Sequence, residues 1–334
     1  MMSGKSAYQA HKLKFYLAGL LGALPPRRFF RHRRRALLAA FDALPAAEQE
    51  AIMARVTHYH RLDAPVTLSS EAVQNRDFAL RARKSSYHLD FYQIAKYFPP
   101  GAAYHYRFGD KTFVPDEPTF VKSRPIHGDN RNSVLLKLDS VRHYYTVKDT
   151  RPYDDKKDAL VWRGAAHQPH RQRFLAQCHD LPRCDVGATD DKPETAAYRK
   201  SFMAIEQQLE HKFIFSIEGN DVATNLKWIM ASNSLCFMKR PIFETWFMEG
   251  TLIPGYHYVE VKDDFSDLGE KIAYYLAHPD EAKAIVDNAN RYIAEFFHPQ
   301  RERLIAMLVF ERYLAHTQCP PTRSPRRLRS SRRQ

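Results

Sequence analysis

The 334-residue sequence contains few cysteines and few glycines. Its four cysteines, Cys178, Cys184, Cys236 and Cys319, form no C-x-x-C pair, so we expect free thiols in a reducing compartment. Twelve glycines stand against twenty prolines, and no block of sequence is repeated, which excludes collagen-like and solenoid chains. With 44% hydrophobic residues, the chain can still bury a core large enough for two compact domains.

Several catalytic signatures are also missing. There is no G-x-G-x-x-G and no G-x-S-x-G, so neither a dinucleotide fingerprint nor a nucleophile elbow is predicted. No Asp-x-Asp occurs, which removes the usual carboxylate pair that holds a metal ion against a nucleotide diphosphate. We therefore expect no metal and no cofactor, and we expect arginines and backbone N–H groups to stabilise any departing diphosphate.

Acidic residues are absent from the first 35 positions, which carry a charge of +9, and from the last thirteen, which carry +6. Removing both ends from the total of +13 leaves −2 for the rest, so we do not expect the folded part to bind nucleic acid. Basic ends on a neutral body suit an anionic membrane surface. The alternatives are that the C-terminal tail only keeps the protein soluble, or that it binds RNA.

An apolar run between residues 15 and 24 follows two lysines. It is too short to span a bilayer, and Pro25 and Pro26 stand where a signal peptide would have small residues. We expect a core or interfacial helix here.

The pattern along the chain predicts an α/β protein. Short strands separated by proline and glycine are predicted between residues 104 and 147, and strands alternate with helices from residue 159 to 297. Such alternation indicates a parallel sheet covered on both faces, with ligands at the carboxyl ends of its strands. We predict these segments: a basic N-terminal segment (1–35), an acceptor-side domain (36–150), a donor-binding domain (151–300), a C-terminal helix (301–320) and a disordered arginine-rich tail (321–334).

The most informative local pattern is FIFSIEGNDVATNLKWIM, in which an apolar strand is followed by a short turn and a helix. The turn contains Gly219, and Asn220 or Asp221 is predicted to cap the helix, with Thr224 and Asn225 in its first turn. Free N–H groups at a helix start can bind a diphosphate. The alternative is an ordinary capped helix.

Two further strand ends carry charged residues. In ALVWRGAAHQPHR, Arg163 leaves a strand and Arg171 starts the next helix, so both could grip phosphate oxygens through forked hydrogen bonds; surface ion pairs are the alternative. Glu244, in RPIFETWF, could bind a ribose diol or simply cap a helix. Asp110, in YRFGDKTF, follows a strand and a glycine, where a carboxylate could act as general base or merely close a turn.

Together these segments resemble the family 90 glycosyltransferases, also called the CAP10-like family, over residues 104–297. The motifs that carry the resemblance are WRGAAHQPHR, KFIFSIEGNDVATNLKWIMASNSLCF and YHYVEVKDDFSDL. The resemblance implies two facing Rossmann-like domains (GT-B type) that bind a UDP-sugar and invert the anomeric centre without a metal. It implies that Asp110 is the base, that Arg163, Gly164 and Arg171 line the donor site, and that Gly219 opens the diphosphate loop.

One position departs from the family pattern. Where eukaryotic members carry an arginine after that loop, this chain has Asn225, followed by Lys227, so Lys227 or a helix N-terminus is expected to supply the charge. FGDKTFVPDEPTFVKSRPI and NSVLLKLDSVRHYY are most similar to the bacterial lipopolysaccharide branch. That similarity implies a lipid-linked oligosaccharide acceptor and a cytoplasmic, peripheral location at the inner membrane face. The expected sugar is a hexose, or alternatively a pentose, and a capsule polymer or a protein is the alternative acceptor. The alternative from a different class is a non-enzymatic RNA-binding or scaffold protein with basic tails.

Overall fold

The computed structural model describes residues 4–78 and 85–318. Its α-helices within those ranges are α1 (Gly4–Leu21), α2 (Arg27–Asp42), α3 (Ala46–Tyr59), α4 (Ser86–Ala95), α5 (Ser140–His143), α6 (Pro169–Cys178), α7 (Ile205–Gln208), α8 (Leu226–Met230), α9 (Leu268–Ala277), α10 (Pro279–Ala294) and α11 (Pro299–His316). Its strands are β1 (Val66–Thr67), β2 (Val73–Gln74), β3 (Ala103–Arg107), β4 (Thr119–Val121), β5 (Ser123–Pro125), β6 (Ser133–Leu135), β7 (Lys157–Gly164), β8 (Cys184–Ala188), β9 (His211–Ser216), β10 (Leu235–Met238), β11 (Phe243–Thr245), β12 (Val259–Glu260) and β13 (Thr317–Gln318).

The larger sheet has five strands in the order β12-β10-β9-β7-β8, and every neighbouring pair is parallel. Its central strands are continuous apolar runs, as expected for strands covered on both faces. The predicted α/β class with a parallel sheet is thus confirmed. Strand β8, at one edge of this sheet, was not predicted because its sequence CDVGA is short and only partly apolar.

The smaller sheet comes earlier in the chain and is here called the first sheet, and the five-stranded sheet is called the second. The first sheet has the order β2-β3-β4-β6, in which β3, β4 and β6 are parallel and β2 is antiparallel to β3. Antiparallel pairing of β5 with β11 joins residues 123–125 to residues 243–245. The division into two facing domains at residue 150 stays a prediction.

Several local predictions are wrong. Apolar residues at near-helical spacing predict one helix from residue 35 to 60, but the structure has two, α2 and α3, because Pro45 precedes the first turn of α3. A helix predicted over residues 198–209 is reduced to the single turn α7. The predicted strand at 143–147 is absent from the described chain, since the short helix α5 occupies its start and irregular backbone follows. The helix predicted to begin at Val222 begins at Leu226 and has only five residues.

The C-terminal helix α11 returns to the first sheet. Phe310 stacks on Phe98 and Phe120, with ring centroids 4.3 and 4.8 Å apart, and Tyr313 donates a hydrogen bond to the carbonyl of Pro118 at 2.7 Å. The predicted helix at 301–320 is therefore part of the core around β3 and β4. The predicted disordered tail, 321–334, lies outside the described residues.

Candidate active site

The carboxyl ends of the parallel strands in both sheets carry the charged residues. In the first sheet, Asp110 follows β3, Lys122 follows β4 and Arg142 follows β6. In the second, Arg163 ends β7 and the loop 217–225 follows β9. The carboxyl edge of a parallel sheet is where α/β proteins bind their ligands.

Asp110 is joined to the second sheet by a buried lysine. Lys122 Nζ lies 2.6 Å from Asp110 Oδ1 and 2.6 Å from Asp221 Oδ2, and its side chain is 2% exposed. The hydroxyl of Ser123 also donates to Asp221 Oδ2 at 2.6 Å. Lys122 thus links the predicted base to the predicted diphosphate loop, a connection that the sequence did not indicate.

The environment keeps Asp110 ionised. Gly109, with φ of +102°, provides the turn that presents it, and the Tyr87 hydroxyl donates to its Oδ1 at 3.1 Å. Burial alone would raise the pKa of Asp110, but Lys122, Arg142 and Tyr87 outweigh it and hold the pKa below the ordinary value of 3.8. A carboxylate charged at neutral pH can accept a proton from a hydroxyl.

A cavity of about 440 Å³, here called the arginine cleft, lies at the ends of β7 and β9. Five predicted donor-site residues line it: Arg163, Gly164, Arg171, Thr224 and Asn225. Aromatic and apolar side chains form most of the rest of its wall: Tyr8, Tyr145, Val147, Trp162, Phe202, Met203, Ile205, Ile217 and Trp228. Arg142, Glu206 and Gln208 also line it. A mostly apolar cleft with a few convergent polar groups is typical of a small-molecule site.

The two predicted arginines differ in how their charge is used. Arg163 Nη2 contacts both carboxylate oxygens of Asp185, at 2.7 and 2.9 Å, so its charge is already paired. Arg171 donates instead to the backbone carbonyls of Ala165, Ile217 and Glu218, at 2.7, 3.0 and 2.8 Å. No carboxylate forms an ion pair with Arg171 within residues 4–78 and 85–318. Arg171 therefore brings to the cleft a positive charge that no carboxylate of the described residues pairs with, while its three nitrogens donate to backbone carbonyls.

Arg142 adds a second cation to the arginine cleft and was missed from the sequence, where its segment was predicted to lead into a strand. It donates to Thr224 Oγ1 at 3.2 Å across the two sheets. Burial, and next the charge of Arg142, lower the pKa of Arg171 to about 10. Since Arg142 also lowers the pKa of Asp110, it lies within electrostatic range of both predicted functional groups.

The loop after β9 differs from the predicted helix start. Asp221 caps no helix, since it is buried against Lys122 and Ser123. Asn225 Nδ2 donates to the carbonyl of Phe215 at 3.0 Å and ties the loop to β9. The predicted helix cap is therefore not formed, because the helix starts later, at Leu226, while the diphosphate-binding role of this loop stays a prediction.

The glycine of this loop has a spatial role. A Cβ at Gly219 would lie 3.2 Å from Arg171 Nη2, so the glycine leaves room for the guanidinium. Gly219 and Asn220 line a second cavity, of about 290 Å³, on the other side of the loop.

Lys227 and Glu244 are not brought to the arginine cleft. Lys227 is fully buried and paired with Glu249, so its charge is not available to a ligand there. Glu244 is also fully buried, where it accepts hydrogen bonds from Arg124 Nε at 2.8 Å and Arg61 at 3.2 Å and lies 2.9 Å from His58 Nε2. Both residues hold the core together, because buried charges must be paired.

Carboxylates, histidines and cysteines are the side chains that could hold a metal ion. Over the two described ranges, no group of three or more such residues is arranged to hold a metal ion. Asp110 and Asp221 share Lys122 between them.

Comparison with known proteins decides the family. The profile of glycosyl transferase family 90 matches residues 136–326, more than half of the chain, and includes the arginine cleft and the loop after β9. The chain belongs to glycosyl transferase family 90. The predicted membership is confirmed, and the protein is a glycosyltransferase.

Relatives of this family 90 member come from bacteria and animals. It is 46% identical over 308 residues to the O-glucosyltransferase LpsA of Dichelobacter nodosus, covering 92% of this chain and 96% of that protein. Human protein O-glucosyltransferase 3 is 22% identical over 50% of this chain and 34% of its own length. Rat protein O-glucosyltransferase 1 is 23% identical over 42% of this chain and 38% of its own length. The bacterial relative aligns almost from end to end, in agreement with the predicted bacterial branch.

The position of Lys122 in this family 90 enzyme gives a pH prediction. Replacing Lys122 with Met removes a cation that lowers the pKa of Asp110, so that pKa should rise. Because the base predicted at Asp110 must be ionised to act, the acid limb of the kcat/KM profile should move to higher pH. Rates measured from pH 4 to 8 check this.

Two control variants accompany that measurement. Lys122→Arg keeps the cation, and Lys111→Met removes an exposed lysine beside Asp110; both should leave the acid limb in place. An unchanged acid limb in Lys122→Met would contradict the assigned link between Lys122 and Asp110.

Proposed function

We propose that this glycosyltransferase moves glucose from a UDP-sugar to a hydroxyl of a lipopolysaccharide core or related surface glycan, with inversion and without a metal. The name O-glucosyltransferase, shared by the bacterial and animal relatives, supports glucose as the sugar. The near end-to-end similarity to the bacterial LpsA supports a bacterial glycan as acceptor. A protein acceptor is the second candidate, because the animal relatives are protein O-glucosyltransferases.

The observation that carries the proposal is that Arg171, which has no carboxylate partner among the described residues, and an ionised Asp110 are both within electrostatic range of Arg142. Arg171 and Arg142 would bind the pyrophosphate and stabilise the negative charge that develops as UDP leaves. Asp110 would take the proton of the acceptor hydroxyl as that oxygen attacks the anomeric carbon. Attack from the face opposite to UDP inverts the anomeric centre.

The remaining parts of the proposal concern architecture and location. The two sheets would act as the two lobes of a GT-B enzyme, with the donor on the side of β7 and β9 and the acceptor on the side of β3 and β4. A lipid-linked acceptor requires an enzyme at the inner membrane face, held there as a peripheral protein by its basic ends.

Arg171 provides the test of the donor site. UDP-glucose at about 100 times its Kd should stabilise the protein by about 2.7 kcal/mol, measured as a rise in Tm. In Arg171→Met the binding of UDP should weaken strongly and kcat/KM should fall by about a hundredfold, since one charge stabiliser of the leaving group is lost. Binding of uridine, which has no phosphate, should change little.

Arg173→Met serves as the control, because Arg173 is exposed on the same helix α6. Equal loss of UDP and uridine binding in Arg171→Met would show a collapsed cleft instead of a lost phosphate contact.

Labelled UDP-glucose offered with purified lipopolysaccharide or with unfolded protein distinguishes the two acceptors, and transfer only to protein would favour the second candidate.

A further inference from the structure

Helix α1 exposes an apolar face to solvent. Leu13, Leu17, Leu20, Leu21 and Leu24, here called the leucine face, are 50 to 77% exposed. The four that lie in α1 fall within an arc of about 100° around its axis, at the spacing of one helical face. Leu24 follows in the turn after the helix. A contiguous exposed apolar surface of this kind marks a protein or membrane contact.

The opposite face of α1 is held against the protein. A Cβ at Gly19 would lie within 2.3 Å of Leu89 on α4, so the two helices are in close contact there. Gln93 and Lys96 donate to the carbonyls of Gly19 and Gly22, at 2.9 and 2.6 Å. The leucine face therefore points outward because the other side is packed.

The positive charge of α1 and α2 indicates which kind of partner the leucine face contacts. No acidic residue occurs before Asp42, and α1 and α2 carry these exposed basic residues: Lys14, Arg28, Arg31, Arg33 and Arg35. Two copies of such a surface repel each other, whereas anionic lipid attracts it by about 1 kcal/mol per basic residue. Within residues 4–78 and 85–318, no helix is long and apolar enough to cross a bilayer.

We infer that the leucine face is a docking surface for an anionic lipid bilayer. The leucines enter the boundary between headgroups and acyl chains, α1 lies parallel to the membrane plane, and the lysine and arginines bind lipid phosphates. Phe29, which is 47% exposed, joins the leucines, while Phe30 is buried against Tyr97. Residues 4–35 thus form an interfacial anchor that combines an exposed apolar face with positive charge.

Docking through α1 also places the arginine cleft. Tyr8, at the start of α1, lines the cleft and contacts Tyr145 with ring centroids 5.0 Å apart. Nine residues of helix separate Tyr8 from Leu17, about 14 Å along an axis parallel to the membrane. By its position in the helix, Tyr8 points about 170° away from the middle of the leucine face, so the arginine cleft lies on the side of α1 that faces the protein and not the bilayer.

The test compares two double variants of the full-length protein. Leu17→Gln/Leu20→Gln removes two apolar contacts of the leucine face, and Ile253→Gln/Phe297→Gln removes two exposed apolar residues elsewhere. Sedimentation with vesicles of phosphatidylcholine and phosphatidylglycerol should show about tenfold or more weaker binding for the first variant only. Equal binding by both variants and the wild type would overturn the inference.

Two further measurements give independent readouts. In Leu17→Trp, the new indole should be quenched by brominated lipids, and in Tyr274→Trp, on α9, it should not. A wild-type dimer that Leu17→Gln/Leu20→Gln dissociates, with no vesicle binding, would assign the face to a second copy and overturn the inference. Vesicle binding is measured without substrate, so its result does not depend on whether glucosyl transfer occurs.

Discussion

Replacing Asp110 with Asn is expected to lower kcat by about 10²- to 10⁴-fold while the affinity for UDP stays nearly unchanged. Asparagine has the same shape as aspartate but cannot take the proton of the acceptor hydroxyl. The fold should survive, because Lys122 keeps its second partner, Asp221, at 2.6 Å. Steady-state transfer rates and a UDP titration by calorimetry check the two halves of this expectation.

The matched control for that variant is Asp116→Asn. Asp116 is exposed six residues along the chain, and its loss should leave kcat unchanged. Comparable turnover by Asp110→Asn and the wild type would exclude Asp110 as the base. Loss of UDP binding together with turnover would show instead that Asp110 shapes the donor site.

Replacing Glu244 with Gln is expected to lower the free energy of unfolding by about 3–5 kcal/mol, because removing one partner of a buried ion pair leaves the other charges uncompensated. Arg124, the main partner, is itself fully buried. Burial would raise the pKa of Glu244, but His58 and Arg124 hold it below the ordinary value of 4.5. Its stabilising contribution is therefore present above pH 4.5 and is lost as pH falls through the lowered pKa.

Urea unfolding at pH 7 measures this change in stability. Glu295→Gln, which breaks an exposed pair with Arg301, is the control and should change stability by about 0–1 kcal/mol. The KM for the donor should be unchanged in Glu244→Gln, since Glu244 does not line the arginine cleft. If the KM for the donor rises and stability falls little, that result would instead support the ribose contact predicted for Glu244 from the sequence.

Arg171 and Glu244 show that a position near a strand end predicts a residue of the cleft correctly in one case and wrongly in the other. Both residues were placed in the donor site because each lies near the end of a predicted strand. Arg171 does line the cleft, since α6 follows β7 directly in a parallel sheet. Glu244 lies in β11, which pairs with β5 far away in sequence, and that pairing buries its side chain.

Hydrophobic periodicity and local motifs determined the α/β class, the strands β7, β9 and β10, and the family, because these depend on residues adjacent in the chain. Tertiary structure alone decided how each charge is used. Lys122 joins Asp110 to Asp221 across 99 positions of sequence, from 122 to 221, and Arg142 reaches Thr224. Such pairings form only when two sheets pack together, since a charged side chain takes whichever partner burial leaves within reach.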